Sequence, residues 1–297
     1  MSAQTASPRD SLPRRLAGAL YRRPHAALAL LLALPLAWLL VAYLGSLAIL
    51  FANALFRIDP FTTRVIPELG LQNFERLLST EVYRTITLRT LGIAAAVTVT
   101  TAVLAFPVAY FMARVAGDRT RNLMVVAILL PLWASYLAKV YAWRIILAQD
   151  GILNWALEPF GMRGPGFGDV ATWLVFSYLW LPYMVLPIYA GLQRIPQSLL
   201  EASSDLGARP GSTFRRVILP LVLPALVAGS IFTFSLTMGD YIAPQLVSST
   251  QFIGSVIFAN VGSSGDLPFA AAFATVPVLV MVVYLLVARR LGAFEAL

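Results

Sequence analysis

Asp240 and Tyr241 follow a long apolar run at about residues 217–238. A carboxylate beside a bilayer is costly to keep charged, so its presence marks a functional position unless water reaches it freely. The tyrosine ring next to it offers a face that attracts cations. Tyr136, Trp133 and Tyr183 supply further rings from neighbouring apolar runs. With Asp240 and Tyr241 they form a candidate path for a small solute, and the carboxylate would suit a cationic one. Lys139 and Arg144 lie in the run that also carries Tyr136. They would repel a cation, and the reading adopted for them is that their heads snorkel to the membrane interface.

Other chemistry is poorly supplied. There are no cysteines, which excludes disulfides, thiolate metal sites and cysteine nucleophiles. His25 is the one histidine and precedes the first apolar run, so neither a metal site nor a Ser-His pair has support. Lys139 is the one lysine, and Val140 follows it. A phosphate-binding loop needs Ser or Thr after its lysine. Any ATP that drives this protein must therefore be bound by another subunit.

The elements that position these residues are membrane spans. Of the 297 residues, 59% are hydrophobic and 12% charged, against roughly 45–50% and about 25% in soluble domains. A helix needs about 20 apolar residues to cross a bilayer. Six stretches qualify, at about 26–51, 88–112, 123–147, 170–191, 217–238 and 269–288. They are continuously apolar, without the alternation of a barrel strand, so the expected fold is an all-α polytopic helix bundle. Pro35, Pro107, Pro131, Pro182, Pro187 and Pro277 fall within these spans and predict kinks. The polar segment 52–87 reads as an external loop with short helices, including NFERLLS.

The net charge of +8 lies in arginines that flank the spans, so it reads as a topology signal and not as a nucleic-acid surface. Arg9, Arg14, Arg15, Arg22 and Arg23 precede the first span, and Arg114, Arg119 and Arg121 follow the second. Arg194, Arg209, Arg215 and Arg216 follow the fourth, and Arg289 and Arg290 the sixth. All fall on one side if there are six spans, which predicts cytoplasmic termini. The start also has the outline of a signal peptide, ending in Ala52-Asn53-Ala54. Its apolar run exceeds the usual 7–15 residues or so, which favours a retained helix.

The densest pattern is RIPQSLLEASSDLGARPGSTFRRVILP, residues 194–220. Pro196 suits the first turn of a helix. Gly207 can take the left-handed conformation that ends one, and Pro210 starts another. The product is a compact helix–turn–helix with small side chains on its exposed face, which a partner protein can approach closely.

This stretch resembles the EAA loop of type I ABC importer permeases, E-A-A-x3-G-x9-I-x-L-P. Glu201, Ala202 and Ser203 fill the triplet, Gly207 follows at the right spacing, and Val217, Leu219 and Pro220 match the end. Ser203 for Ala and Val217 for Ile are the departures. The pieces 180–196, 131–154, Gly239-Asp240-Tyr241 with Pro244, and 267–274 resemble the spermidine/putrescine-type permeases of the same family. The likeness covers roughly 80–290.

The resemblance implies a MetI-like permease fold in the bacterial inner membrane. Residues 1–25 would be a cytoplasmic tail, 26–290 the transmembrane domain with its core at about 80–290, and 291–297 a second tail. It implies an ATPase-coupling role for Glu201, Ala202, Ser203, Asp205, Leu206, Gly207 and Pro220. It also implies a cytoplasmic ATPase dimer holding ATP and Mg, a homologous second permease (a heterodimer), and a periplasmic solute-binding protein. The solute would be small, with a polyamine favoured over an opine or amino-acid derivative, and the chain itself would be non-catalytic, without cofactor or nucleic acid. An ion-coupled secondary transporter would need intramembrane carboxylates, of which the span cores hold essentially none. An intramembrane enzyme would need a nucleophile and base that His25 is badly placed to supply.

Overall fold

The computed structural model describes residues 24–59, 61, 62 and 64–292. Arg9, Arg14, Arg15, Arg22, Arg23 and the tail 293–297 lie outside the described residues. The chain divides into two units, residues 1–53 and Ala54–Leu297. In the first, α1 (Pro24–Trp38) runs through a wider π turn (Leu39–Leu44) into α2 (Gly45–Ala54). Leu31–Ala54 is long and apolar enough to cross a membrane. His25 is exposed.

The second unit opens with a short antiparallel hairpin, β1 (Arg57–Ile58) and β2 (Val65–Ile66), with Arg57 opposite Ile66. The amphipathic α3 (Gln72–Ser79) follows, and it contains the expected NFERLLS. Asn73 on α3 ties back to the chain by donating to the carbonyls of Ala54 and Phe56. The long helix α4 (Glu81–Tyr110) begins earlier than the predicted span at 88, because EVYRTIT continues the helix outward in polar form. Its threonines are accommodated by bonding backward: the hydroxyls of Thr87, Thr90, Thr98 and Thr101 donate to the carbonyls of Tyr83, Ile86, Ala94 and Val97. A π turn (Phe111–Val115) closes it.

The predicted third span, 123–147, is not one helix. It is α5 (Asp118–Trp133) and α6 (Tyr136–Leu147), set at 93°. The backbone at Ala134 and Ser135 is extended. Pro131 removes one amide and α5 ends two residues later, leaving carbonyls without helical partners. The Pro131 carbonyl accepts from the Ala134 amide at 3.3 Å and from Lys139 Nζ at 3.0 Å. Lys139 is thus tied to the bend, while Arg144 lies over the Phe167 ring. The other expected prolines stay inside continuous helices, Pro182 and Pro187 both within α8.

After α7 (Ile152–Leu157) come α8 (Asp169–Gln193), α9 (Gln197–Asp205), α10 (Pro210–Thr213) and a π turn (Phe214–Ile218). The chain then forms α11 (Leu219–Gly239), α12 (Ile242–Val247), α13 (Ile253–Gly262) and α14 (Leu267–Arg290). Among the described residues five stretches can span a bilayer, or six with the bent pair taken as one.

The core runs as patches along α8. Val97, Val140, Val175, Phe176 and Ala243 are buried together where α4, α6, α8 and α12 meet. Nearer the other end, Ala109, Met112, Ile188, Leu192, Ile218 and Val222 join α4, α8 and α11. Leu77, Ile86, Ile253, Phe269 and Phe273 join α3, α4, α13 and α14. There Arg76 meets Asp266 at 2.9 Å with its guanidinium 4.2 Å from the Phe269 ring centre, while Asp266 caps α14 by accepting from the Phe269 amide.

Helices in lipid gain from close packing of small residues, and α8 and α11 touch through glycines. A Cβ on Gly191 would fall 2.5 Å from the Ala225 Cβ, and one on Gly229 would lie 3.0 Å from the Met184 Sδ. Neither Ala225 Cβ nor the backbone at Met184 can swing aside. Gly92, on an open face of α4, has nothing within 4 Å of that position. Gly191→Ala should therefore cost about 1–3 kcal/mol by overpacking, whereas Gly92→Ala should be neutral or stabilising by up to about 1 kcal/mol. Thermal unfolding in detergent checks this; equal melting of the two variants would contradict the tight contact.

Candidate functional site

Two places hold the residues singled out by sequence, at opposite ends of the helices. The first is the turn between α8 and α11. Pro196, in extended conformation, caps α9. Its other end closes by two backbone bonds, Gly207 N to Ser204 O at 2.8 Å and Ala208 N to Ser203 O at 3.1 Å. This Schellman closure needs a left-handed residue, and Gly207 has φ +71°. The second short helix folds back on the first, where the hydroxyls of Ser203 and Thr213 meet at 2.8 Å.

The consequence is a sorted surface. Ser203 is half-buried, held in that hydroxyl pair. Glu201, Ala202, Asp205, Leu206 and Gly207 are exposed, Leu206 at 88%. Leu206 thus stands out beside a glycine turn and two carboxylates, on a ridge of small side chains. Leu200 faces the other way and packs against the patch that includes Ile195 and Ile218. Pro220 is apart from the ridge; it sits in the first turn of α11, directly after the π turn Phe214–Ile218. Thr213 was not anticipated, and its only signal was a hydroxyl ten residues from Ser203. Arg114, which donates Nη2 to the Leu192 and Ile195 carbonyls at 2.6 and 2.8 Å, was anticipated only as a flanking charge.

The second place is at the far end of α11. The Tyr136 hydroxyl donates to Asp240 Oδ2. Asp240 Oδ1 accepts from the amides of Ile242 and Ala243 at 2.8 and 3.0 Å, so the carboxylate also starts α12. Tyr136 stacks on Trp180 with centroids 6.2 Å apart, Trp180 meets Tyr183 at 6.0 Å, and Tyr183 stacks on Phe232 at 6.4 Å. Asp240, Tyr136 and Tyr183 are thus one constellation with Trp180. Tyr241 points elsewhere: it stacks on Phe258 at 4.5 Å and lines an apolar cavity of about 260 Å³ with Met238, Ile257 and Pro277. Trp133, 91% exposed, stands on the outside of the chain. Among the described residues no group of three His, Cys, Asp or Glu could hold a metal ion.

Comparison with known proteins places this geometry. The family described as binding-protein-dependent transport system inner membrane component matches residues 105–294. The inner membrane ABC transporter permease protein YdcU of Escherichia coli (strain K12) is 45% identical over 299 residues, covering 95% of both chains. The spermidine/putrescine transport system permease protein PotB of the same organism is 32% identical over 260 residues, 85% of this chain and 93% of that one. Among solved structures, a chain of a bacterial ABC transporter that imports the acidic polysaccharide alginate superposes with TM-score 0.72 at 17% identity, over 94% of this chain and 98% of its own. A chain of the MetNI methionine ABC transporter superposes with TM-score 0.54 at 16% identity, over 71% and 94%. The permease fold is therefore shared well beyond recognisable sequence, and the chain belongs to the binding-protein-dependent transport system inner membrane components, the membrane-spanning permease subunits of ABC importers.

Proposed function

We propose that this subunit imports a polyamine such as spermidine or putrescine, delivered by a periplasmic binding protein and driven by a cytoplasmic ATPase dimer that docks on the segment 194–220. The observation that carries the coupling half is the exposed ridge of Glu201, Ala202, Asp205 and Leu206, ended by left-handed Gly207 and braced by the Ser203–Thr213 pair. ATP and Mg reside in the ATPases, and the chain is a moving wall without catalytic groups. Both termini, and the arginine-flanked ends of the spans, face the cytoplasm, where Arg215 and Arg216 meet lipid headgroups. A homologous second permease completes the path, as a heterodimer.

The polyamine half rests on the 32% identity to permeases named for spermidine and putrescine, and on the Asp240, Tyr136, Trp180 and Tyr183 cluster. The carboxylate there is already engaged by three donors. A passing ammonium would take the place of the Tyr136 hydroxyl while the two amide bonds keep Asp240 oriented. Lys139 keeps its charge, with its ammonium held on the Pro131 carbonyl. Tyr241 and Trp133 would line the path against the second permease.

Two measurements test these halves separately. Glu201→Arg and Gly207→Pro should abolish copurification of the ATPase while leaving the folded permease intact. Retention of the ATPase by both variants would remove the coupling assignment. Asn caps a helix about as well as Asp, so Asp240→Asn removes the charge and keeps α12. Loss of a charge-assisted contact of about 1.5–3 kcal/mol should slow spermidine uptake by proteoliposomes roughly 10- to 100-fold, with ATPase binding unchanged. Unaltered uptake would exclude Asp240 from the path.

A further inference from the structure

Where α4 and α8 end, two arginines bond the last carbonyls, among them Leu192 O, which also accepts from the Ile195 amide at 3.3 Å. Helix C-termini leave their last carbonyls without amide partners and carry partial negative charge, which guanidinium groups suit. Arg121 serves its own neighbourhood. It donates to the Met112 and Ala116 carbonyls, both at 3.1 Å, and pairs with Asp118 at 3.0 Å. Arg114 reaches across to another helix. Its single Nη2 lies between Leu192 O, in the last turn of α8, and Ile195 O, one residue before the proline that caps α9. An arginine that only set topology would extend to the headgroups; Arg114 is half-buried and turned inward.

The packing around this link has the same direction. Met112, beside Arg114 in the π turn, is fully buried with Leu192, Ile195 and Ile218, and Leu200 of α9 rests on them. The segment 194–218 is joined covalently to α8 and α11 alone. Arg114 gives it a polar connection to the end of α4, beside the edge-on contact of Phe214 with Phe106 of α4 at 5.3 Å.

We propose that Arg114 is the positioning residue that makes α4 move with α9, so that a displacement of the ATPase-docking segment reaches three spans and not two. This rests on the docking role given to 194–220. Without the guanidinium, α9 can tilt about Ile195–Pro196 while α4 stays behind, and ATP is hydrolysed with less transport.

Because the chain has no cysteine, Gly117→Cys and Ser198→Cys give one spin-label pair across the link, both at exposed positions and outside the ridge of 201–207. In the assembled transporter the native pair should keep one narrow distance with and without ATP. Arg114→Gln should broaden it, still copurify with the ATPase, and lower solute moved per ATP about tenfold, equivalent to about 1.4 kcal/mol of lost coupling. Arg114→Lys, whose ammonium keeps the charge and the donors but lacks the planar, preoriented guanidinium, should fall between and recover part of the ratio. A native distance and a native ratio in Arg114→Gln overturn the proposal. If Arg114→Gln does not insert, a native width in Arg114→Lys overturns it equally. If the native chain holds no ATPase, the docking assignment fails; the width of the 117–198 distance in the permease alone then still decides whether Arg114 ties α4 to α9.

Discussion

A peptide carbonyl at the edge of a bilayer must find its donor within the protein, and the placement of the charged side chains in this chain follows from that. Water is scarce there, and an unpaired backbone group costs several kcal/mol, order of magnitude. Each interruption of a helix consequently carries its own remedy. Lys139 covers Pro131 at the sharp bend, Arg121 covers the end of α4, and Arg114 covers the end of α8. At the opposite polarity, Asp240 and Asp266 accept the free amides at the starts of α12 and α14. Gly207 does without a charge because its backbone turns back on α9.

This economy shapes both candidate regions. The ridge between α8 and α11, proposed to dock the ATPase, is braced at its base through Leu200 and the Ser203–Thr213 pair, and bare at its crest. The aromatic constellation at the far end has the same division: Asp240 is fixed on one side by amides and meets a single rotatable hydroxyl on the other. The two regions are joined by α8 and α11, whose glycine-mediated contact leaves little room for one helix to slide on the other.

Much of this was legible in the residues. The spans are long and apolar, and the Glu201-to-Pro220 spacing carries a helix, a left-handed glycine and a second helix, all of which form. The bent third span was not legible, because hydropathy is blind to direction: α5 and α6 are each apolar, and the turn lies in the extended backbone of Ala134 and Ser135. Of six prolines expected to kink spans, Pro131 alone adjoins a sharp break, since the others have their freed carbonyls absorbed within continuous helix. The aromatic group was half legible. Tyr136, Tyr183 and Asp240 converge, but Trp180 belongs with them and Trp133 does not, and no single helix period relates residues on three different elements. Arg114 and Arg121 look alike as flanking charges; only the fold distinguishes the one that crosses to another helix.

The bend at Pro131 also gives the chain an unusual chemical address. Lys139 is the only lysine in 297 residues, and its ammonium is held on a carbonyl. Apart from the terminal amine, the chain thus presents one amine nucleophile, partly exposed at the corner between α5 and α6. Acylation therefore marks that corner by its own chemistry, without introducing any label site.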